Sequence, residues 1–224
     1  MVNTQAWKNL KEELRLKNVT LIAVSKTQSA ADIQTLYDLG QKDFGENYVQ
    51  ELTEKQHQLP AGVRWHFIGH LQSNKVKAIA PFIHLIHTVD SFRLLREINK
   101  QAASNNRTID VLLQLRIAAE ETKFGLDEKE MEHLLDEYQK QVKNLTNIRI
   151  CGLMGMATNT NDEQQIHNEF SRLHDFYKKL ANTVFINKPE FSICSIGMSA
   201  DYKIAVAEGG NMVRIGSLLF GARL

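Results

Sequence analysis

Lys26 ends an apolar run, Leu21-Ile-Ala-Val-Ser25, and a lysine there places its ammonium where burial disfavours charge and depresses its pKa. An amine in that state attacks carbonyl carbon and forms Schiff bases. Most lysines are simply solvated, so one strand-end lysine decides nothing alone. Other residues add weight. Gly209-Gly-Asn-Met-Val-Arg-Ile-Gly-Ser217 sets Arg214, Gly216 and Ser217 at the end of another apolar run, where amides opening a helix can hold a phosphate. Taken singly, Gly216 is a turn glycine and Arg214 a surface or ion-paired residue. Together with Ser199 they form a phosphate cup.

Asn47, in Gly45-Glu-Asn-Tyr48, can donate and accept beside a bound ring, although strand-end asparagines also make local turns. His66 and His70 have the spacing of a metal pair, yet no third ligand of comparable quality stands near them, and no metal site is expected. His66 is expected to face inward, either as a ligand-contacting hydrogen-bonding residue or as a satisfied core histidine. Met154 and Met156 suit core packing, and Met156 is a candidate for lying against an aromatic ring.

The elements that must position these residues follow from hydrophobic periodicity. Eight short apolar runs read as buried strands: 20–25, 43–46, 65–69, 85–89, 111–117, 150–157, 191–196 and 212–215. Between them lie segments of helical spacing, such as Phe92, Leu95, Ile98 and Phe170, Leu173, Phe176, Leu180, and a further helical stripe, Trp7, Leu10, Leu14, precedes the first strand. Alternating strands and helices imply a parallel sheet. Eight pairs in 224 residues suggest an α/β fold of the TIM type, a (β/α)8 barrel with an additional N-terminal helix, as one domain spanning 1–224. A doubly wound open sheet competes, but it usually carries a glycine-rich turn after its first strand, where this chain has Ser25-Lys26-Thr27. In a barrel the active face is the C-terminal end of the strands, where Lys26, Asn47, Ser199 and Arg214 all fall.

With 27 Lys plus Arg against 26 Asp plus Glu, no long-range field recruits nucleic acid or an acidic membrane. Cys151 and Cys194 sit in apolar runs without CxxC or CxxH spacing and read as buried thiols in a reducing compartment. The N-terminus lacks the pattern of a signal peptide and no run of 18 apolar residues occurs, so a cytoplasmic protein is expected.

Ala23-Val-Ser-Lys26, Phe44-Gly-Glu-Asn-Tyr-Val-Gln-Glu51, Trp65-His-Phe-Ile-Gly-His-Leu-Gln-Ser-Asn-Lys75, Gly152-Leu-Met154, Ile196-Gly-Met-Ser199-Ala-Asp201, Val213-Arg-Ile-Gly-Ser217 and Phe220-Gly-Ala-Arg223 together resemble the pyridoxal phosphate homeostasis protein family. The resemblance spans nearly the whole chain. It implies a barrel similar to the N-terminal domain of alanine racemase, with the aldehyde of pyridoxal 5′-phosphate (PLP) on Lys26. It also implies a phosphate held by Ser199 and the Arg-Ile-Gly-Ser segment, with Arg214 near the pyridine nitrogen. Such an arginine leaves that nitrogen unprotonated and weakens the ring as an electron sink. Arg116 departs from the family, which usually has asparagine there, whereas Glu121-Thr-Lys-Phe-Gly125 matches well.

The resemblance favours a non-catalytic carrier or regulator that limits free PLP, with transient contacts to PLP-dependent apo-enzymes, as a monomer or weak homodimer. The alternative is a PLP-dependent amino-acid racemase, which needs acid–base groups on both faces of the bound substrate. Alanine racemase draws one of them from a second domain, for which the residues after Arg223 are expected to leave no room. A barrel binding a phosphorylated metabolite without cofactor would account for Arg214 but not for Lys26.

Overall fold

A computed structural model describes residues 2–120 and 124–221. Helix α1 (Thr4–Leu16) precedes eight strand–helix pairs: β1 (Thr20–Val24) and α2 (Ala30–Asp38), β2 (Asp43–Glu46) and α3 (Val49–Gln58), β3 (Arg64–Phe67) and α4 (Val76–Ile79), β4 (Leu85–Val89) and α5 (Phe92–Ser104). The second half continues with β5 (Ile109–Gln114) and α6 (Glu128–Gln141), β6 (Ile148–Met154) and α7 (Glu163–Ala181), β7 (Ile193–Met198) and α8 (Tyr202–Ala207), β8 (Met212–Ile215) and α9 (Ser217–Phe220). The strands form a closed parallel barrel in chain order, and β8 closes on β1 with Ile22 opposite Arg214. This is the (β/α)8 architecture expected from the sequence, with α1 as the extra helix.

The helices form where caps and apolar stripes agree. Ser91 accepts the Leu94 N–H at the start of α5, whose Leu94, Leu95, Ile98 and Ala102 are buried at i, i+1, i+4, i+8. Asp127 and Glu130 make a reciprocal capping box on α6, and Asp162 caps α7. Most of the apolar core lies in one cluster spanning helices and strands, whereas Ile22, Leu85, Leu112, Cys151, Met154 and Met212 form a separate small cluster. Trp7 of α1 donates its indole N–H to buried Gln41, whose amide in turn bonds the carbonyls of Leu21 and Asp43, tying α1 to two strands.

Both cysteines are buried and free, and burial pushes each thiol up to about 12, so they act as apolar fillers. Gly152 explains the Gly-Leu-Met motif: a Cβ there would lie 1.8 Å from the Ile193 carbonyl oxygen, at the point where the β5–β6 register shifts. Among the described residues no helix is long and apolar enough to cross a membrane.

Candidate functional site

At the C-terminal ends of the strands lies a cavity of about 520 Å³, lined by Lys26, Asn47, Met156, Ser199, Arg214, Gly216 and Ser217 together with Ile68, Met198 and Phe220. Its size suits a small ligand. The structure therefore brings together seven of the eight residues singled out from the sequence. His66, the eighth, is placed elsewhere. His66 is not among the cavity-lining residues but lies in the barrel interior, 1 % exposed, hydrogen-bonded to Asp43 and His87. His70 is separated from it at an exposed position, stacked on Phe124 and paired with Asp90 at 3.3 Å. Arg116 lies past the end of β5, 3.8 Å from Asp127 and outside the cavity wall. Met154 belongs to the small apolar cluster and Met156 to the cavity. Residues 121–123 and Arg223 lie outside the described residues.

Lys26 is carried on a tight turn immediately after β1, with Thr27 at φ 65°. A positive φ is costly for a β-branched residue and persists only when its surroundings hold it. Here they do. The Thr27 N–H donates to Glu51 Oε1 at 2.5 Å, and Lys55 Nζ donates to that oxygen at 2.6 Å, to Glu46 Oε1 at 2.8 Å and to the Ser25 carbonyl at 2.7 Å. Ser25 Oγ donates to Glu46 Oε1 at 2.6 Å. Burial raises the Glu46 pKa, and Lys55 and Ser25 act against it. This buried clamp grips the residues on either side of Lys26. Sequence reasoning missed Ser25 and Lys55; the only local signal is the i, i+4 pair Glu51–Lys55 on α3.

At the far wall, Ser199 Oγ accepts the Gly216 N–H at 3.2 Å, joining the ends of β7 and β8. The Asp201 carboxylate accepts the Met198 N–H at 2.5 Å and so holds the turn that carries Ser199. The amides of Ser217 and Leu218, in the first turn of α9, have no acceptor within that helix. Arg214 is 4 % exposed, and burial brings its guanidinium down to about 10, which leaves it a cation at neutral pH. Asn47 is held from behind by Gly69, where any Cβ would lie 2.2 Å from the Asn47 carbonyl oxygen.

Three buried side-chain polar atoms among the described residues lack a hydrogen-bond partner: Glu46 Oε2, Asn47 Oδ1 and Gln114 Oε1. All three stand at or just past the C-terminal ends of β2 and β5. A lysine amine, an orphaned amide oxygen, a buried cation and a set of serine and amide groups line one cavity.

The family model described as alanine racemase, N-terminal domain, matches residues 4–224. The chain belongs to this family. Within the alanine racemase N-terminal-domain family it is similar to the pyridoxal phosphate homeostasis protein of Vibrio alginolyticus, 36% identical over 214 residues that cover 92% of this chain and 88% of the relative. The protein of that name from Escherichia coli K12 is 37% identical, over 92% of this chain and 87% of its own length. Among solved structures, PipY of Synechococcus elongatus PCC7942 without PLP shares 33% identity at a TM-score of 0.87, covering 97% of this chain and 99% of PipY. PipY with PLP bound gives 32% identity and a TM-score of 0.82 over the same shares. An alanine racemase from Clostridium difficile 630, 16% identical at a TM-score of 0.72 and covered over 56% of its length, shares the fold.

Proposed function

We propose that this chain binds PLP at the barrel mouth and serves in PLP homeostasis as a carrier or regulator. The observation that carries the reading is the conjunction of Lys26, the unpartnered Asn47 Oδ1, buried Arg214 and the Ser199–Gly216 pair in one cavity of about 520 Å³. The names of the relatives and the PLP bound to PipY support it. In this reading Lys26 Nζ adds to the aldehyde carbon with loss of water, leaving a Schiff base. Ser199, Ser217 and the amides opening α9 hold the phosphate, and Arg214 donates toward the ring nitrogen. When bound, PLP supplies an electron-accepting ring. The chain's own groups limit its use: an arginine donating to the ring nitrogen favours the unprotonated ring.

Among the described residues lining the cavity, Lys26 and Arg214 are the only ones with titratable side chains. A racemase needs a second acid–base group on the opposite face, and none of the described lining residues offers one. Release toward apo-enzymes through transient contact is supported by exposed apolar side chains at or past the ends of four strands, Tyr48, Phe124, Met198 and Leu218. The test is incubation of the PLP-loaded protein with L-alanine and L-serine in deuterated water. The carrier reading expects no α-deuterium and no D-isomer at turnover rates approaching the enzyme median of about 10 per second. Incorporation at such a rate overturns it in favour of a racemase.

A further inference from the structure

Below the cavity a second polar constellation crosses the barrel interior from β2 to β8. Asp43, His66, His87, Ser195 and Arg214 are each buried. Arg214 Nη1 donates to Ser195 Oγ at 2.8 Å and to the Ser195 carbonyl at 2.7 Å. Ser195 Oγ is 3.1 Å from His87 Nδ1, His87 Nε2 is 3.0 Å from His66 Nδ1, and His66 Nε2 is 3.0 Å from Asp43 Oδ1. Asp43 is further held by a two-pronged pair with Arg64.

The chemistry of the two ends fixes the direction of the whole chain. A guanidinium only donates, so Ser195 Oγ accepts from Arg214 and gives its own proton to His87 Nδ1. A neutral His87 then carries its proton on Nε2 and donates to His66 Nδ1. By the same step His66 donates from Nε2 to Asp43. Burial lowers the pKa of both imidazoles, which keeps them neutral. Burial alone would raise Asp43, yet hydrogen bonds from His66 and Arg64 bring it down to about 2, so the terminal acceptor is ionised. Every link then has one donor and one acceptor, in a series whose members polarise one another.

Ser195 takes both Nη1 protons of Arg214, and the Gly155 carbonyl takes one from Nη2 at 2.9 Å. The Nε proton and one Nη2 proton remain without a partner among the described residues, on a side chain that lines the cavity. We infer that Asp43, His66, His87 and Ser195 form a one-directional positioning relay that holds Arg214 with two donors left for an acceptor in the cavity. Identifying that acceptor as the ring nitrogen of PLP rests on the proposed function. The relay itself does not.

The experiment has two arms. In protein without added PLP, nitrogen-15 NMR of labelled histidines at pH 7 is expected to show His66 and His87 neutral, each with its proton on Nε2. Either ring protonated on both nitrogens, or carrying its proton on Nδ1, overturns the relay whatever the cofactor does. In PLP-loaded protein, Ser195→Ala and His87→Gln are expected to keep a borohydride-reducible link to Lys26. They are also expected to shift the visible absorption band and the pH at which it titrates, with retention weakened about tenfold. Wild-type band, titration midpoint and retention in both variants overturn the relay. Should His87→Gln fail to fold, Ser195→Ala, which removes one hydroxyl, decides this arm. A wild-type protein that forms no reducible link contradicts the proposed function alone, and the histidine arm still decides the relay.

Discussion

Among the described residues, at the barrel mouth Asn47 Oδ1 is buried without a partner and Arg214 keeps two uncommitted N–H donors, whereas one layer deeper each polar side-chain atom of Ser195, His87, His66 and Asp43 is paired. Both constellations draw on β2, β7 and β8, and they share Arg214. An unpaired buried polar atom costs about 1–3 kcal/mol. A fold keeps several together where a ligand supplies the missing partners, and completes the rest where the task is to hold something still. The comparison thus assigns binding to the mouth and orientation to the layer beneath.

The sharpest way to break that division is Lys26→Ala. It should abolish the visible band that PLP develops on the wild-type protein while leaving the unfolding midpoint close to wild type, because Lys26 touches the cavity and not the core. A surviving band would remove covalent binding from the mouth. Next in size is Lys55→Met in the clamp behind Lys26. It strands Glu46, whose side chain is fully buried beside Lys55 at 2.8 Å, and should cost about 3–5 kcal/mol in urea unfolding. Adding Glu46→Gln to that variant should recover part of the loss, as a double-mutant cycle on a contacting pair shows.

Ser199→Ala addresses the wall that holds the phosphate, and Arg214→Ala the donor to the ring nitrogen. Each removes groups whose charge-assisted bonds are worth about 1.5–3 kcal/mol, so PLP affinity should fall roughly tenfold or more while the link to Lys26 still forms at high ligand concentration. Unchanged affinity in Ser199→Ala would move the phosphate elsewhere, and unchanged affinity in Arg214→Ala would remove the contact to the ring nitrogen.

The deeper layer should show itself in acid. His66 and His87 are held neutral by burial, below their ordinary value of about 6.5, so under that pH the unfolded chain binds more protons than the folded one. Stability falls as pH drops through that window, by up to about 1.4 kcal/mol per pH unit for each proton. Asp43, depressed to about 2, adds a further loss as pH falls from about 4 toward 2. Urea titrations of His87→Gln should give a flatter slope than wild type between about pH 6.5 and 5; an equal slope would mean that His87 is not buried neutral.

The barrel was legible because strand periodicity and burial coincide in eight runs, and β2, β4 and β8 begin and end where the apolar pattern does. Pattern and pairing part company at β5 and β6. The apolar runs continue to Ile117 and Ala157, which are buried, although the strands end at Gln114 and Met154. An apolar run reports burial, and just past these strand ends Leu115 and Gly155 still donate to the Met154 and Ser195 carbonyls without belonging to a regular ladder. The mouth residues were legible for the same reason: Lys26, Ser199 and Arg214 are polar interruptions at strand ends. His87 was not singled out, although a histidine in Leu85-Ile-His-Thr-Val89 is itself a signal, because its meaning depends on Ser195, 108 residues away. Lys55 looks like any charged helix residue until α3 is laid over the turn of Lys26.

The account stands most directly on where PLP attaches. The purified protein, incubated with PLP, reduced with borohydride and digested, should yield one modified peptide in mass spectrometry, with the pyridoxyl group on Lys26. An adduct found chiefly on Lys75, Lys123 or Lys203, or spread over surface lysines, would contradict the assignment of the barrel mouth as the binding site.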